Sequence, residues 1–315
     1  MHLVRISLLA AACMVASSAN AATRPPPASP SGATRPITLD LWPAAPPGGG
    51  GPQEPERLYR KGSHAGAVSN VSRPRIEIHG APHPNGTAVI VIGGGGYARI
   101  GIGQEVMPTA DWLMTQGVTA VVLYYRLPAD HWPAVAPFQD AQRAVRVLRA
   151  HAHELGVDPA HIGVIGFSAG GNLAGITETR FMDTLYPAVD ATDQLSARPD
   201  FAALIYPVIS LQQPYDTTRS GRELSTQADA VQAYSVQLHV THATPPTFLA
   251  QAKDDPIANI GNSLIMVDAL KKHGVATELH VFDKGGHGWG MGAPGSEVAA
   301  WPSLFAAWAK RNGFL

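Results

Sequence analysis

Short apolar runs recur along this chain, separated by segments whose apolar positions fall three and four residues apart. Ala88-Val-Ile-Val-Ile92 is apolar at every position, which predicts a strand buried on both faces. Further strands are predicted at residues 119–125, 162–165, 201–205, 247–250 and 277–282. Helices are expected between them. One covers residues 106–116 and ends at Gly117. A second covers 138–155, with Ala141, Ala144, Val145 and Leu148 at helical spacing and Gly156 as its C-terminal cap. Others start at Ala169 or cover 262–272 and 302–311. Continuous apolar strands alternating with helices imply an α/β fold, a mostly parallel sheet covered by helices on both faces. Residues 210–243 carry no readable period.

The ends of the chain differ from this middle. His2 and Arg5 precede an apolar stretch from Ile6 to Val15, and Ala19-Asn20-Ala21 fits a signal-peptide cleavage site. Residues 1–21 are therefore read as a signal peptide and residues 22–36 as a Pro-rich linker, with one domain over 37–315. The apolar stretch is too short to span a bilayer. A periplasmic or secreted location is expected. The single cysteine, Cys13, lies in the segment read as removed, so neither a disulfide nor a cysteine zinc site is expected. Lys and Arg number 23 against 24 Asp and Glu in 315 residues, and no basic stripe points to nucleic acid or an anionic membrane.

Gly166-Phe-Ser-Ala-Gly170 fits G-x-S-x-G, and its position matters more than the match. It directly follows a predicted strand and opens a predicted helix, where a sharp turn would lift the Ser168 hydroxyl above the sheet edge. Serine is a weak nucleophile and needs a base with an acid behind it. On such a sheet these should follow in the order acid, then histidine, each after a later strand. Asp254 and Asp255 follow the strand at 247–250, and Gly285-Gly-His-Gly288 follows the strand at 277–282. His287 is thus the candidate base. Asp255 is preferred over Asp254 as the acid, because Pro256 fixes a turn that can aim its carboxylate; Asp254 would then brace the loop or face solvent. Gly93-Gly-Gly-Gly96 follows the strand at 88–92 and can offer bare N–H groups to an oxyanion, together with the N–H of Ala169. A phosphate cradle is disfavoured, since no P-loop lysine follows. No metal is expected, because H-E-x-x-H is absent and His151 and His153 are two residues apart on a helix.

Gly94-Gly-Gly-Tyr97, Tyr125-Arg-Leu-Pro128, Gly166-Phe-Ser-Ala-Gly-Gly171, Thr244-Pro-Pro-Thr-Phe248, Asp254-Asp255 and Gly285-Gly-His-Gly288 together resemble the acetylxylan-esterase-like bacterial α/β-hydrolases, related to the hormone-sensitive-lipase branch. The resemblance runs from about Val71 to Trp308. It implies an α/β-hydrolase fold and a serine esterase without cofactor, acting on O-acetyl esters of oligo- or polysaccharide. It also implies Ser168, Asp255 and His287 as the triad, and Gly95, Gly96 and Ala169 as the oxyanion hole. Two positions depart from the pattern. Gly93 stands where relatives often have Pro or His, and Glu105 is followed by Val106 rather than glycine. Glu105 is read as a solvated carboxylate at a helix start. Tyr97 and Trp289 are candidate substrate-binding residues that would crowd the acyl side of Ser168, with packing beneath the loops as their competing role. A small-substrate carboxylesterase and a catalytically silent, hydrolase-like binding protein are the alternatives to the deacetylase.

Overall fold

Strands take most of the apolar runs in the computed structural model, which describes residues 35–315. In chain order they are β1 (Ile37–Asp40), β2 (Arg57–Leu58), β3 (Val68–Ser69), β4 (Arg75–His79), β5 (Ala88–Ile92), β6 (Thr119–Tyr124), β7 (Ile162–Phe167), β8 (Phe201–Ile205), β9 (Thr247–Ala252) and β10 (Thr277–Phe282). Eight of them form one sheet in the order β1-β4-β6-β5-β7-β8-β9-β10, while β2 and β3 pair separately. The β1–β4 and β4–β6 pairings are antiparallel, and every later one is parallel. The signal peptide and most of the Pro-rich linker read from the sequence lie outside the described residues.

The helices are α1 (Met107–Thr115), α2 (Ala136–Ala150), α3 (Ala169–Thr179), α4 (Arg219–Leu224), α5 (Ala230–Tyr234), α6 (Gly261–Lys272) and α7 (Trp301–Arg311). Every residue of β5 to β9 is buried, which requires cover on both faces of the sheet. α1 meets α7 through Trp112, Trp301 and Phe305. α2 and α3 pack together, and α3 lies against β7 and β8. This is the α/β-hydrolase fold.

The chain goes from β5 outward to β6, then returns across β5 to β7. Loops leaving β5 and β7 therefore diverge, and a crevice opens between their C-terminal ends. The register pairs Ile92 with Gly166, so Gly93–Gly96 and Ser168 leave the sheet side by side at that crevice. At the other edge β9 and β10 pair in register, Ala252 opposite Phe282, and this brings Asp254 and Asp255 beside the loop carrying His287.

Some boundaries differ from the sequence reading. β7 runs on to Phe167, so the turn begins at Ser168 itself. α2 stops at Ala150, five residues early, once its last buried apolar side chain, Leu148, is placed. β1 and β4 had no sequence assignment; they form the antiparallel edge, where β1 is largely exposed and β4 alternates. The unreadable stretch 210–243 contains the short helices α4 and α5.

Candidate active site

Ser168 occupies a backbone conformation that side chains rarely adopt, with φ 53° and ψ −117°. The turn is tolerated because Gly166 and Gly170, two residues to either side, have no side chain to clash. A Cβ on Gly170 would lie 2.3 Å from the carbonyl oxygen of Ile92, so only glycine lets α3 start this close to β5. The strain is offset by packing and backbone bonds: Ser168 N–H donates to Ile205 O at 3.0 Å, and its own carbonyl accepts from Gly171, Asn172 and Val208.

The hydroxyl faces histidine. Ser168 Oγ lies 2.7 Å from His287 Nε2, and His287 Nδ1 lies 2.7 Å from Asp255 Oδ2. Asp255 is buried and held tightly. Its Oδ1 accepts from the N–H groups of Ile257 and Ala258 at 2.8 and 3.0 Å, and its Oδ2 also accepts from Gln251 Nε2 at 3.0 Å. The turn expected at Pro256 is thus a side-chain-closed turn that aims the second oxygen at His287. Asp254 points elsewhere: its Oδ1 accepts from Gly285 and Gly286 at 2.9 and 2.8 Å, bracing the start of the histidine loop. Those bonds, led by the one from Gly286, hold the Asp254 carboxyl below its ordinary range.

Ser168 and His287 open onto a cleft of about 340 Å³ whose lining includes Gly94, Gly95 and Gly96. Gly94 N–H is already engaged, donating to Glu105 Oε2 at 2.6 Å. Gly95, Gly96 and Ala169 N–H have no protein acceptor among the described residues, and Ala169 is the first residue of α3. Gly95 has φ 127°, and a Cβ there would meet Arg99 O at 2.4 Å, so no other residue fits this bend.

Glu105 corrects the sequence reading. It is not solvated: it is only 7% exposed, in a π-helical turn (Ile102–Val106) that leads into α1. Its two oxygens accept from Gly94 N–H and from Tyr206 O–H, the latter at 2.9 Å, and Tyr206 Oη accepts from Gly290 N–H at 3.1 Å. One carboxylate therefore ties the glycine loop to the end of β8 and to the histidine loop. Burial pushes its carboxyl pKa up, while the Gly94 and Tyr206 bonds and the charges of His287 and Arg99 act against that rise. Its one sequence signal was to be the sole acidic residue between the glycine run and Asp111.

Tyr97 and Trp289 are also corrections. Tyr97 is wholly buried, packs edge-on to Tyr125 and tilted against Phe138, and donates from its hydroxyl to Asn172 Oδ1 at 2.8 Å. Trp289 packs against Tyr206, Phe282 and Trp301. Neither lines the cleft. Tyr97 instead fastens the glycine loop to α3, and Tyr206 stands between Trp289 and the His287 ring, 5.0 Å from the latter. The Tyr125-Arg126 pair is likewise scaffold. Tyr125 O–H donates to Gly93 O at 2.8 Å, and buried Arg126 pairs with buried Asp140 at 2.9 Å.

A family model, BD-FAE, matches residues 78–270, more than half of the chain. The chain belongs to the BD-FAE family. This chain is 31% identical over 217 residues to an acetylxylan esterase of Xylanibacter ruminicola, a match covering 67% of this chain and 42% of that protein. It is 30% identical over 206 residues to endo-1,4-beta-xylanase B of Butyrivibrio fibrisolvens, covering 64% of this chain and 32% of that one. The chain spans less than half the length of these two relatives. Among solved structures, an acetyl ester-xyloside bifunctional hydrolase from Caldicellulosiruptor lactoaceticus superposes with a TM-score of 0.74 at 33% identity, over 90% of this chain and 99% of that one.

Proposed function

We propose that this BD-FAE-family protein is a serine esterase that removes O-acetyl groups from carbohydrate of the acetylxylan type. The observation that carries the reading is the line of Ser168 Oγ, His287 and Asp255 at 2.7 Å per step, opening onto the glycine loop. The acetyl and carbohydrate parts rest on what the matched relatives are named for.

Ser168 Oγ attacks the acetyl carbonyl carbon while His287 Nε2 takes its proton. Asp255 accepts from Nδ1–H and so keeps the lone pair on Nε2. The carbonyl oxygen becomes an oxyanion beside Gly95, Gly96 and Ala169 N–H, and each such donor contributes roughly 3–4 kcal/mol to the barrier reduction. The imidazolium protonates the departing sugar oxygen, leaving acetyl-Ser168. Water, deprotonated by His287, then attacks the acetyl carbonyl, and acetate leaves as Ser168 regains its proton. No step calls for a cofactor or metal.

The test is acetate release from acetylated xylan. Ser168→Ala should lose several orders of magnitude in kcat with an unchanged fold by circular dichroism, and a fluorophosphonate should label the wild type at Ser168 alone. Deacetylation by Ser168→Ala near the wild-type rate, or no acetate release by the wild type, ends the reading. The same reading places the enzyme outside the cytoplasm, where polymeric substrate is met. N-terminal sequencing of protein from the periplasm or medium should then begin at Ala22, and a start at Met1 would count against it.

A further inference from the structure

Two arginines flank the glycine loop on its cleft side. A Cβ on Gly95 would come within 2.8 Å of Arg99 Cγ, and one on Gly96 within 3.0 Å of Arg219 Cβ. Their stems therefore lie against Gly95 and Gly96, and both side chains line the same cleft as Ser168.

Neither guanidinium is fully engaged: exposed Arg219 has one carboxylate partner, Glu223, and Arg99 has none among the described residues. Other covered arginines of this protein have acceptors for their guanidinium: Arg126 has Asp140, Arg143 has Asp190 and Asp193, Arg149 has Asp200, Arg75 has Glu56, and Arg146 and Arg198 have carbonyl or hydroxyl oxygens. Arg99 is half-buried, yet no hydrogen bond or ion pair of its guanidinium is found among the described residues. Arg219 gives only its Nε, at 2.7 Å, to Glu223 one helical turn on, which leaves its terminal nitrogens open. The one carboxylate lining the cleft is Glu105, and Gly94 and Tyr206 already engage both its oxygens. Burial and the neighbouring Arg219 charge lower the Arg99 pKa, and the smaller opposing effects of Tyr59 and the Glu105 carboxylate do not restore it. A partly desolvated cation beside a like charge is costly unless an anion joins it.

We propose that Arg99 and Arg219 form an anion subsite beside Ser168 that binds a carboxylate carried by the substrate. Guanidinium forks match carboxylate geometry, and carbohydrate offers that group as a uronic acid next to the esterified sugar. The inference rests on the esterase reading for its kinetic arm but not for its binding arm. A carboxylate on the alcohol side and one on the acyl side share the same chemistry, and the substrates below separate them.

The experiment compares kcat/KM for acetylated xylo-oligosaccharides with and without a glucuronic acid branch, and for p-nitrophenyl acetate against the hemisuccinate. An anionic ester should be preferred about tenfold or more at low salt, with the advantage shrinking as salt screens it. A preference among the oligosaccharides places the carboxylate on the alcohol side; one among the p-nitrophenyl esters places it on the acyl side. In Arg99→Gln/Arg219→Gln the anionic-to-neutral ratio should fall to about one. General damage would lower both rates and leave the ratio standing. Calorimetric titration of Ser168→Ala with the glucuronic-acid-bearing and neutral oligosaccharides reads the subsite without chemistry. Tighter binding of the acidic one, with no ester turned over by the wild type, keeps the subsite and sinks the esterase. Equal rates and equal binding, or a ratio that survives the double substitution, overturn the subsite and leave the esterase intact.

Discussion

Replacing Asp255 by Asn should disable the enzyme through the histidine tautomer, and the bonds around the carboxylate say which oxygen is lost. Oδ1 is held by two backbone N–H groups, from Ile257 and Ala258, while Oδ2 faces His287 Nδ1. Asn keeps one oxygen. Retaining it at Oδ1 preserves both backbone bonds and turns the amide nitrogen toward His287. The flipped amide would instead press its NH2 against two buried N–H donors, each worth about 1–3 kcal/mol when left unsatisfied, whereas the unflipped one faces a single donor, Gln251 Nε2. The unflipped form should therefore dominate. Its NH2 donates to Nδ1, so the ring proton moves to Nε2, which can no longer accept from Ser168 Oγ. The expected loss is about 10³–10⁴ in kcat, or roughly 4–5.5 kcal/mol of barrier, with KM changed little. Asp254→Asn is the control. Its Oδ1 accepts from both Gly285 and Gly286, an amide oxygen can do the same, and the loss should stay below tenfold. Hydrolysis of p-nitrophenyl acetate, corrected for the spontaneous rate, reads both. A larger loss in Asp254→Asn than in Asp255→Asn, or an Asp255→Asn enzyme within tenfold of wild type, refutes the assignment.

Glu105→Gln leaves one acceptor where Gly94 N–H and Tyr206 O–H need two; kcat should drop roughly 10- to 10²-fold with KM nearly constant, because the glycine loop is displaced rather than the cleft emptied. A pure KM effect would contradict that role. Glu178 is buried beside Thr247 Oγ1 at 2.8 Å, and burial raises its pKa from 4.5 to about 8. The unfolded chain releases this proton near pH 4.5 while the folded one holds it to about 8, so this contribution to stability is lost as pH rises across that window. Urea unfolding should show Glu178→Gln gaining on the wild type by up to about 1.4 kcal/mol per pH unit from pH 5 to 8; a pH-independent difference would mean that Glu178 is ionised in the fold. Trp289→Ala should lower stability by no more than about 3–5 kcal/mol, the indole being partly buried, yet leave the acetate-to-butyrate ratio of p-nitrophenyl esters within twofold, since Tyr206 separates the indole from His287. A shifted ratio would return Trp289 to the acyl site.

The α/β class was legible along the chain, because strands buried on both faces must be apolar throughout, and Ala88–Ile92 and its like are apolar at every position. The sequence also located Ser168, Asp255 and His287 as candidates, because each follows a strand in fixed order and the flanking glycines mark tight turns. It missed β1 and β4, whose exposed or alternating residues at an antiparallel edge give a weak pattern. Contacts between residues far apart in the chain emerged only on folding. Glu105 is buried because Tyr206, 101 residues later, and Gly94 supply its hydrogen bonds, and no local period records that. Tyr97 leaves the cleft because Asn172 on α3 offers its hydroxyl an acceptor inside the core. Asp255 is separated from Asp254 by which carboxylate reaches Nδ1 of a histidine on the neighbouring loop. Arg99 and Arg219 share one cleft only because the α4 segment folds back over the glycine loop. Periodicity reports which way a side chain faces relative to its own element; the partner waiting there is set by how the elements pack.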